Sequence, residues 1–269
     1  MSFSRIYSIF VRQWFLFRSN PVRLVNIFLW IFVDIIQWGF ISKYLGTFGA
    51  ATFSFITVIL GAVILWEFLS RIQQGIMTAF LEDVWSQNFI NFFASPLKVN
   101  EYLSGLVLTS IVTGLVGFLT MILIAGLAFG YNFFKIGLML FPFILILFIF
   151  GIAMGILISA VIFRLGPSAE WIIWPIPVVL SIFSGVFYPI ATLPAGLRII
   201  SKFIPASYVF ESLRSIISRG NFSAPIGMNL LIGAVLSLIY FFAMYKFFLR
   251  IYRHNLKTGK LARFSAEGA

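Results

Sequence analysis

Few side chains in this 269-residue sequence could do chemistry, because only 8 are acidic, one is a histidine and none is a cysteine. Nucleophilic and metal sites draw mainly on Cys, His and clustered carboxylates, so most of them are unavailable. The sequence has neither a GxxxxGK[ST] loop nor a GxGxxG motif following a strand, so it offers no nucleotide site. We expect the lone His254, which lies in a basic stretch, to be solvated. The sequence therefore predicts neither an enzyme nor a metal centre.

The remaining candidates are polar residues inside apolar stretches. Asp34 and Gln37 fall near the middle of one such stretch, where a charged side chain costs about 2.5–3.5 kcal/mol. They form either a polar site that lines a transport pathway or a buried, hydrogen-bonded group between helices. Glu67 precedes Arg71 by one helical turn, which is typical of a salt bridge near a helix end. Asp34 has no obvious Lys or Arg partner at its depth, and it could pair with Glu67 only if folding brings them together.

The elements that must position these residues are membrane helices. The chain is 61% hydrophobic and 10% charged, with a mean hydropathy of +1.05, whereas soluble domains are about 25% charged. A spanning helix needs about 20 apolar residues. This pattern predicts an all-α polytopic membrane protein, a single domain over residues 1–269 with no soluble catalytic part. We expect six spans at about residues 24–43, 53–72, 104–129, 137–162, 171–189 and 226–248.

The net charge of +11 is explained by membrane topology rather than by nucleic acid. Lys and Arg are more numerous on the side of the two termini, so we expect a multi-pass protein of the cell membrane with both termini cytosolic. The basic residues between spans five and six do not fit this rule. Residues 1–22 are predicted to form an amphipathic interfacial helix, in which Arg5 and Arg12 lie opposite an aromatic face and suit anionic lipids. The six-span bundle covers residues 24–248, and residues 249–269 form a basic cytosolic tail.

A polar interval between spans two and three contains a predicted short helix at about residues 82–94. Glu82 and Asp83 would begin this helix, where acidic groups complement the dipole, and Pro96 follows its end. An aromatic stripe at helical spacing follows the two acids, comprising Trp85, Phe89, Phe92 and Phe93. A helix this short cannot cross a bilayer, so we expect its aromatic face to be buried against another protein.

A second informative interval lies between spans five and six. Pro189, Pro194 and Pro205 divide it into pieces too short to span a membrane. Residues 197–204 would form one short helix, and residues 208–217, with Tyr208, Glu211 and Arg214, would form another. We expect re-entrant or interfacial helices on the outer face. The alternative is an ordinary amphipathic surface loop.

These residues together resemble the membrane permeases of type-2 ATP-binding cassette (ABC) exporters. The likeness covers essentially the whole chain. Two stretches carry it, FLEDVWSQNFINFFASPLKVNEYLSG and SGVFYPIATLP followed by PASYVFESLR. The first is similar to the acidic and "SP-L" loop of that family, and the second to its "SG-FYP…LP…P-Y…LR" signature. Asp34 within the first span is not part of that pattern.

The resemblance implies a dimeric permease that moves drugs, lipids or lipid-linked glycans outward. Separate ATPase subunits would bind the ATP and magnesium, and no cofactor would bind this chain. The helix at about residues 82–94 would be the coupling helix seated on the ATPase, and residues 189–219 would close the pathway on the outside. The alternative from another class is a secondary transporter or channel driven by an ion gradient, which would need several intramembrane ionisable residues.

Overall fold

The computed structural model describes residues 1–19, 21–47, 55–219 and 224–258, and within them it contains helices and no strands. The α-helices, in chain order, are α1 (Phe3–Ser19), α2 (Pro21–Gly46), α3 (Phe55–Trp85), α4 (Phe89–Ala94), α5 (Val99–Phe129), α6 (Leu140–Leu165), α7 (Glu170–Ile173), α8 (Ile176–Ser184), α9 (Ala195–Ser201), α10 (Pro205–Arg219) and α11 (Ala224–Lys257). Short 3₁₀ helices cover Phe133–Met139, Pro167–Ala169 and Ile190–Thr192. The all-helical class predicted from the sequence is confirmed.

Four helical stretches of the described chain are long and apolar enough to cross a membrane. They are Phe28–Gly46, Val99–Phe129, Phe133–Leu165 and Ala224–Lys257. They correspond to the first, third, fourth and sixth expected spans. The second expected span lies in α3, which has 31 residues but carries charged side chains in its second half, and its first residues, 53 and 54, lie outside the described chain.

The fifth expected span, residues 171–189, is not one helix. Its helical parts are α7 and α8, separated at Trp174 and Pro175, and α8 ends at Gly185 with φ +66°. Proline lacks the amide hydrogen that continues a helix, and a positive φ is the conformation that terminates one. Neither piece alone approaches the length needed to cross a bilayer.

Helix α3 is the centre of the bundle, because it packs against α2, α5, α6 and α10. Its contact with α6 is close enough to require glycine at two positions one turn apart. A Cβ atom at Gly151 would lie 3.0 Å from the carbonyl oxygen of Leu69, and one at Gly155 would lie 2.9 Å from Cβ of Ile76. Small residues at this spacing allow helix backbones to approach closely. The two helices therefore form a rigid pair.

Helices α3, α6 and α11 run in the same direction and α5 runs opposite to them, so the bundle has two distinct ends. At one end lie α1, the last turns of α3, the first turns of α5 and the last turns of α6 and α11; we call it the α1 end. Asn255 of α11 donates to the carbonyl of Phe163 of α6 there, at 2.6 Å. The segment of residues 185–219, which we call the proline-rich segment, packs through α10 on the first half of α11.

Candidate functional site

The polar interval after the second span is not the single helix that the sequence predicted. Helix α3 continues to Trp85, a turn follows at Ser86–Asn88, and α4 begins at Phe89. Gln87 has φ +55°, and the amide of Asn88 donates to the carbonyl of Asp83 while that of Gln87 donates to Val84. This is the Schellman arrangement, which ends a helix through a left-handed residue. Such a residue is usually glycine, so a glutamine at this position does not signal the end of a helix.

The break separates the aromatic residues that were expected to share one exposed face. The side chain of Trp85 is 56% exposed, whereas that of Phe89 is 1% exposed. The Phe89 ring packs at 5.1 Å from Phe80 and 5.4 Å from Phe163, measured between centroids. Phe89 is therefore part of the internal core, and the expectation that it belongs to an external ridge is wrong. Phe92 is half-buried, and the side chain of Phe93 lies outside the described residues.

Glu82 and Asp83 also lie at a different place from the one expected. They occupy the last turn of α3 rather than the first turn of a new helix, and negative charge at a helix C-terminus opposes the dipole. Glu82 is half-buried, and Asp83 is fully buried. A buried carboxylate at an unfavourable helix end must be stabilised by other groups.

Two side chains from other helices stabilise Asp83. Arg12 of α1 forms a salt bridge and hydrogen bond with Oδ1, and the hydroxyl of Tyr102 on α5 donates to Oδ2 at 2.6 Å. Burial raises the pKa of Asp83 above its ordinary value, and the hydrogen bond and charge of Arg12 act in the opposite direction. The charge on Asp83 therefore depends on α1 remaining in place.

A second ion pair fixes the beginning of α1. Arg5 lies 3.4 Å from Oε2 of Glu101 and donates to the carbonyl of Pro96 at 2.6 Å. Oε1 of Glu101 accepts the backbone amide of Ser2 at 2.7 Å, and its Oε2 accepts that of Lys98 at 3.0 Å. We call Arg5, Arg12, Asp83, Glu101 and Tyr102 the α1 clamp. It joins α1 to the ends of α3 and α5 on either side of α4.

Close packing accompanies these polar contacts. A Cβ atom at Gly105 would lie 2.5 Å from that of Ile9, so α1 rests directly on the backbone of α5. The guanidinium of Arg12 also lies 4.8 Å from the ring centroid of Phe92, within the range of a cation–π contact. The expectation that Arg5 and Arg12 face anionic lipid is corrected, because both arginines face acids of the chain itself. Phe3 and Trp14 of α1 remain exposed, as an interfacial helix requires.

The two intramembrane acids come together through Arg71. Nη2 of Arg71 lies 3.4 Å from Oε2 of Glu67 and 4.0 Å from Oδ2 of Asp34. Asp34 thus has the cationic partner that the sequence did not reveal, since Arg71 was expected to pair with Glu67 near a helix end. The Asp34 side chain keeps 30% of its surface exposed, and Gln37, one turn further along α2, is exposed. Within the described residues, no group of three or more His, Cys, Asp or Glu could hold a metal ion.

The proline-rich segment is organised around Arg214. Its guanidinium donates to the carbonyl of Gly185 and, at 3.1 Å, to that of Val186, and it pairs with Oε1 of Glu211 at 2.9 Å. The same carboxylate oxygen accepts the amide of Ile190 at 2.9 Å. The two short helices expected here are present as α9 and α10, with α9 ending before residue 204.

The three prolines of this segment each begin an element. Pro189 precedes the 3₁₀ helix, Pro194 precedes α9 and Pro205 is the first residue of α10, where its missing amide is not needed. The Tyr208 hydroxyl donates to the carbonyl of Lys202 at 2.9 Å and so closes the turn between α9 and α10.

These features define a class of protein. The described chain is a helical membrane bundle in which a tight turn joins α3 to the short α4 at the α1 end, and its helices before the last span are broken. The sequence profile of the ABC-2 type transporter family matches residues 4–218, which include α1 to most of α10. The chain therefore belongs to the ABC-2 type transporter family, as its sequence indicated. It is a multi-pass membrane protein and a transport permease. A comparison with individually characterised proteins gives no significant match.

Proposed function

We propose that this chain is the permease subunit of an ABC exporter and that a separate ATPase docks at the turn Ser86–Asn88 and Trp85. One observation carries the proposal: a large aromatic side chain stands 56% exposed at the end of the most central helix of the bundle. Exposed tryptophans that become buried on binding are frequent hot spots of protein interfaces. ATP and magnesium would be bound by the ATPase, and this chain would bind no cofactor.

The continuity of α3 supports a mechanical role for this surface. Its 31 residues extend about 46 Å at 1.5 Å per residue, which exceeds the thickness of the hydrocarbon core. A displacement applied at Trp85 would therefore be transmitted to the far side of the membrane without an intervening hinge. The α1 clamp would carry α1 and the start of α5 with it. Phe89 and Phe92 support the turn from inside rather than contacting the partner.

The proposed transport cycle uses two copies of the permease and outward movement of the substrate. Both termini, and hence the α1 end, would lie in the cytosol of a cell whose plasma or inner membrane holds the protein. The proline-rich segment would then lie at the outer side and close the pathway. The substrate would be amphipathic, such as a lipid, a lipid-linked glycan or a drug, because the chain offers mainly apolar and aromatic surfaces with few charges.

The coupling proposal is tested by Trp85→Ala, with Phe134→Ala at the opposite end as the matched control. Both side chains are more than half exposed, so neither substitution should disturb folding. The permease would be purified with its ATPase, which is sought first in the neighbouring coding sequence. Loss of a hot-spot side chain should weaken ATPase binding about 30-fold and abolish substrate-linked ATP hydrolysis. Retained affinity and unchanged hydrolysis in Trp85→Ala would refute the docking site.

Asp34 and Gln37 are proposed to line the translocation pathway. Both keep exposed surface at bilayer depth, and Arg71, which also contacts Glu67, balances part of the Asp34 charge. Because the chain has no cysteine, a single cysteine at position 34 or 37 can be labelled without background. A membrane-impermeant thiol reagent should label both positions but not Phe32→Cys, because the exposed apolar side chain of Phe32 on the same helix would face lipid. No labelling at either position, together with normal transport by Asp34→Asn, would reject this pathway.

The cluster of Asp34, Glu67 and Arg71 is also what favours the second candidate, an ion-gradient-driven transporter. The two functions differ in their energy source. An exporter loses transport when ATP is removed and keeps it when a proton ionophore is added, and a gradient-driven transporter shows the reverse.

A further inference from the structure

Helix α11 carries one continuous stripe of exposed side chains, which are apolar in its first part and basic in its second. Val235, Ile239 and Phe242, all exposed, follow one another at intervals of four and three residues. The same stripe continues through four exposed basic residues, Lys246, Arg250, Arg253 and Lys257. Intervals of three and four residues place side chains on one face of a helix. The face is therefore apolar in the first part of the stripe and cationic in the second.

The basic part of the stripe differs from three arginines elsewhere in the bundle. Arg12, Arg71 and Arg214 each pair with a carboxylate of the chain. Within residues 1–19, 21–47, 55–219 and 224–258, no salt bridge involves any of the four basic residues of the stripe. Their charge is not balanced by the described protein, so it is available to an external anion.

Three surface depressions meet where the stripe changes from apolar to basic side chains. A basic cleft is lined by Lys246, Leu249, Arg250, Arg253, His254 and Lys257. An apolar groove runs from Val235 to Lys246, and a second groove, between α11 and α6, is lined by Leu157, Met244 and Phe247 and also reaches Lys246. Two apolar grooves thus converge on one cationic cleft. This arrangement matches the shape of a molecule with two hydrocarbon chains and one anionic head.

We infer that α11 binds an anionic phospholipid, with its phosphate against Lys246, Arg250 and Arg253 and its acyl chains in the two grooves. The apolar part of α11 belongs to a candidate membrane span, so the grooves lie at hydrocarbon depth and the basic cleft lies at the headgroup layer. A soluble anion would use only the cleft and would leave both grooves unfilled. The inference concerns a different surface from the proposed ATPase site and does not depend on it.

The experiment uses the full chain in detergent, carrying a fluorophore on a single cysteine introduced as Leu249→Cys in the basic cleft. The ligands are phosphatidylglycerol and phosphatidylcholine, each brominated near the ester end of the acyl chains so that bound lipid quenches the label. Phosphatidylglycerol should quench at much lower concentration than phosphatidylcholine. A label on Leu138→Cys, an exposed position in the Phe133–Met139 helix, should be quenched equally by both lipids.

The charge dependence is tested by the combined substitutions Lys246→Gln, Arg250→Gln and Arg253→Gln. Each basic residue near a membrane surface contributes about fivefold to the binding of an anionic lipid, so the combined variant should lose about 100-fold in apparent affinity for phosphatidylglycerol. The matched control replaces three exposed lysines elsewhere, Lys43, Lys135 and Lys202, by glutamine and should keep the wild-type affinity. Unchanged melting of both variants shows that the fold is intact.

Three results would overturn the inference. The first is equal quenching at Leu249→Cys by the two lipids. The second is undiminished phosphatidylglycerol binding by the variant that lacks Lys246, Arg250 and Arg253. The third is competition by inorganic phosphate at concentrations close to those of the lipid, which would identify a soluble anion as the ligand of the cleft.

Discussion

Two regions of this bundle hold short helices in place, and they do so with different chemistry. The α1 clamp joins helices that are far apart in the sequence through the pairs Arg12–Asp83 and Arg5–Glu101. The proline-rich segment uses Arg214 to hold carbonyl groups of Gly185 and Val186, within the same segment. The clamp therefore connects three helices into one body, whereas the polar contacts of Arg214 stay within the proline-rich segment.

The difference has an energetic consequence. Asp83 is fully buried, and a buried charge without its partner is far more costly than a carbonyl without its donor. The α1 end should therefore resist separation of α1 from α3. The proposed docking of an ATPase at this end requires such resistance. The proline-rich segment should be able to loosen locally while the bundle stays folded.

The largest effect is expected from Arg12→Ala, which breaks the clamp at its buried carboxylate. The free energy of unfolding should fall by about 4 kcal/mol, measured by denaturation in detergent, because Asp83 is left without its cation. Arg18→Ala, an exposed arginine on the same helix, should change it by less than about 0.5 kcal/mol. If the two variants are equally stable, Arg12 does not hold α1 in place.

Acidification provides a further check on the Arg12→Ala variant. Without Arg12, the already raised pKa of Asp83 rises further, so the folded state binds a proton more tightly than the unfolded state. In the variant, the contribution of Asp83 to the free energy of unfolding is therefore complete at low pH, and it is lost as the pH rises through the pKa that Asp83 has in the folded state. The deficit of Arg12→Ala relative to the wild type should therefore shrink as the pH is lowered.

A somewhat smaller loss is expected from Phe89→Ala, which tests whether the aromatic residues after α3 form a core or an external ridge. Removal of this buried ring should cost about 3 kcal/mol of unfolding free energy because it leaves a cavity among Phe80, Tyr102 and Phe163. Trp85→Ala should be nearly neutral in the same measurement. Equal stability of the two variants would contradict the separation of Trp85 from Phe89.

The smallest of these stability effects is expected from Arg214→Ala in the proline-rich segment. Loss of its hydrogen bonds should cost about 2 kcal/mol. Hydrogen exchange should increase at residues 185–190, including the amide of Ile190 that Glu211 accepts, while exchange at the α1 end stays unchanged. Lys202→Ala, at an exposed lysine nearby, should leave both regions as they are. Faster exchange at the α1 end would show that the two regions are coupled after all.

Much of the architecture followed from local patterns in the sequence. Apolar runs predicted the membrane helices, and Pro189, Pro194 and Pro205 predicted the divisions of the segment before the last span, because proline acts on its own backbone and its neighbours. The fifth span was predicted as one helix at about residues 171–189, and it is two short helices instead. The turn at Gln87 could not be predicted in this way, because glutamine rarely adopts the left-handed conformation that ends a helix.

The sequence by itself determined the class of this protein: a helical membrane permease of the ABC-2 type transporter family, with two polar intervals that interrupt its spans. Only the tertiary structure decided which side chains meet. It turned Phe89 inward, brought Arg71 between Asp34 and Glu67, and directed Arg12 to Asp83 rather than to lipid. The physical reason is that hydrophobicity and backbone preference act over a few residues, whereas the partner of a charge is set by helix packing across the whole chain.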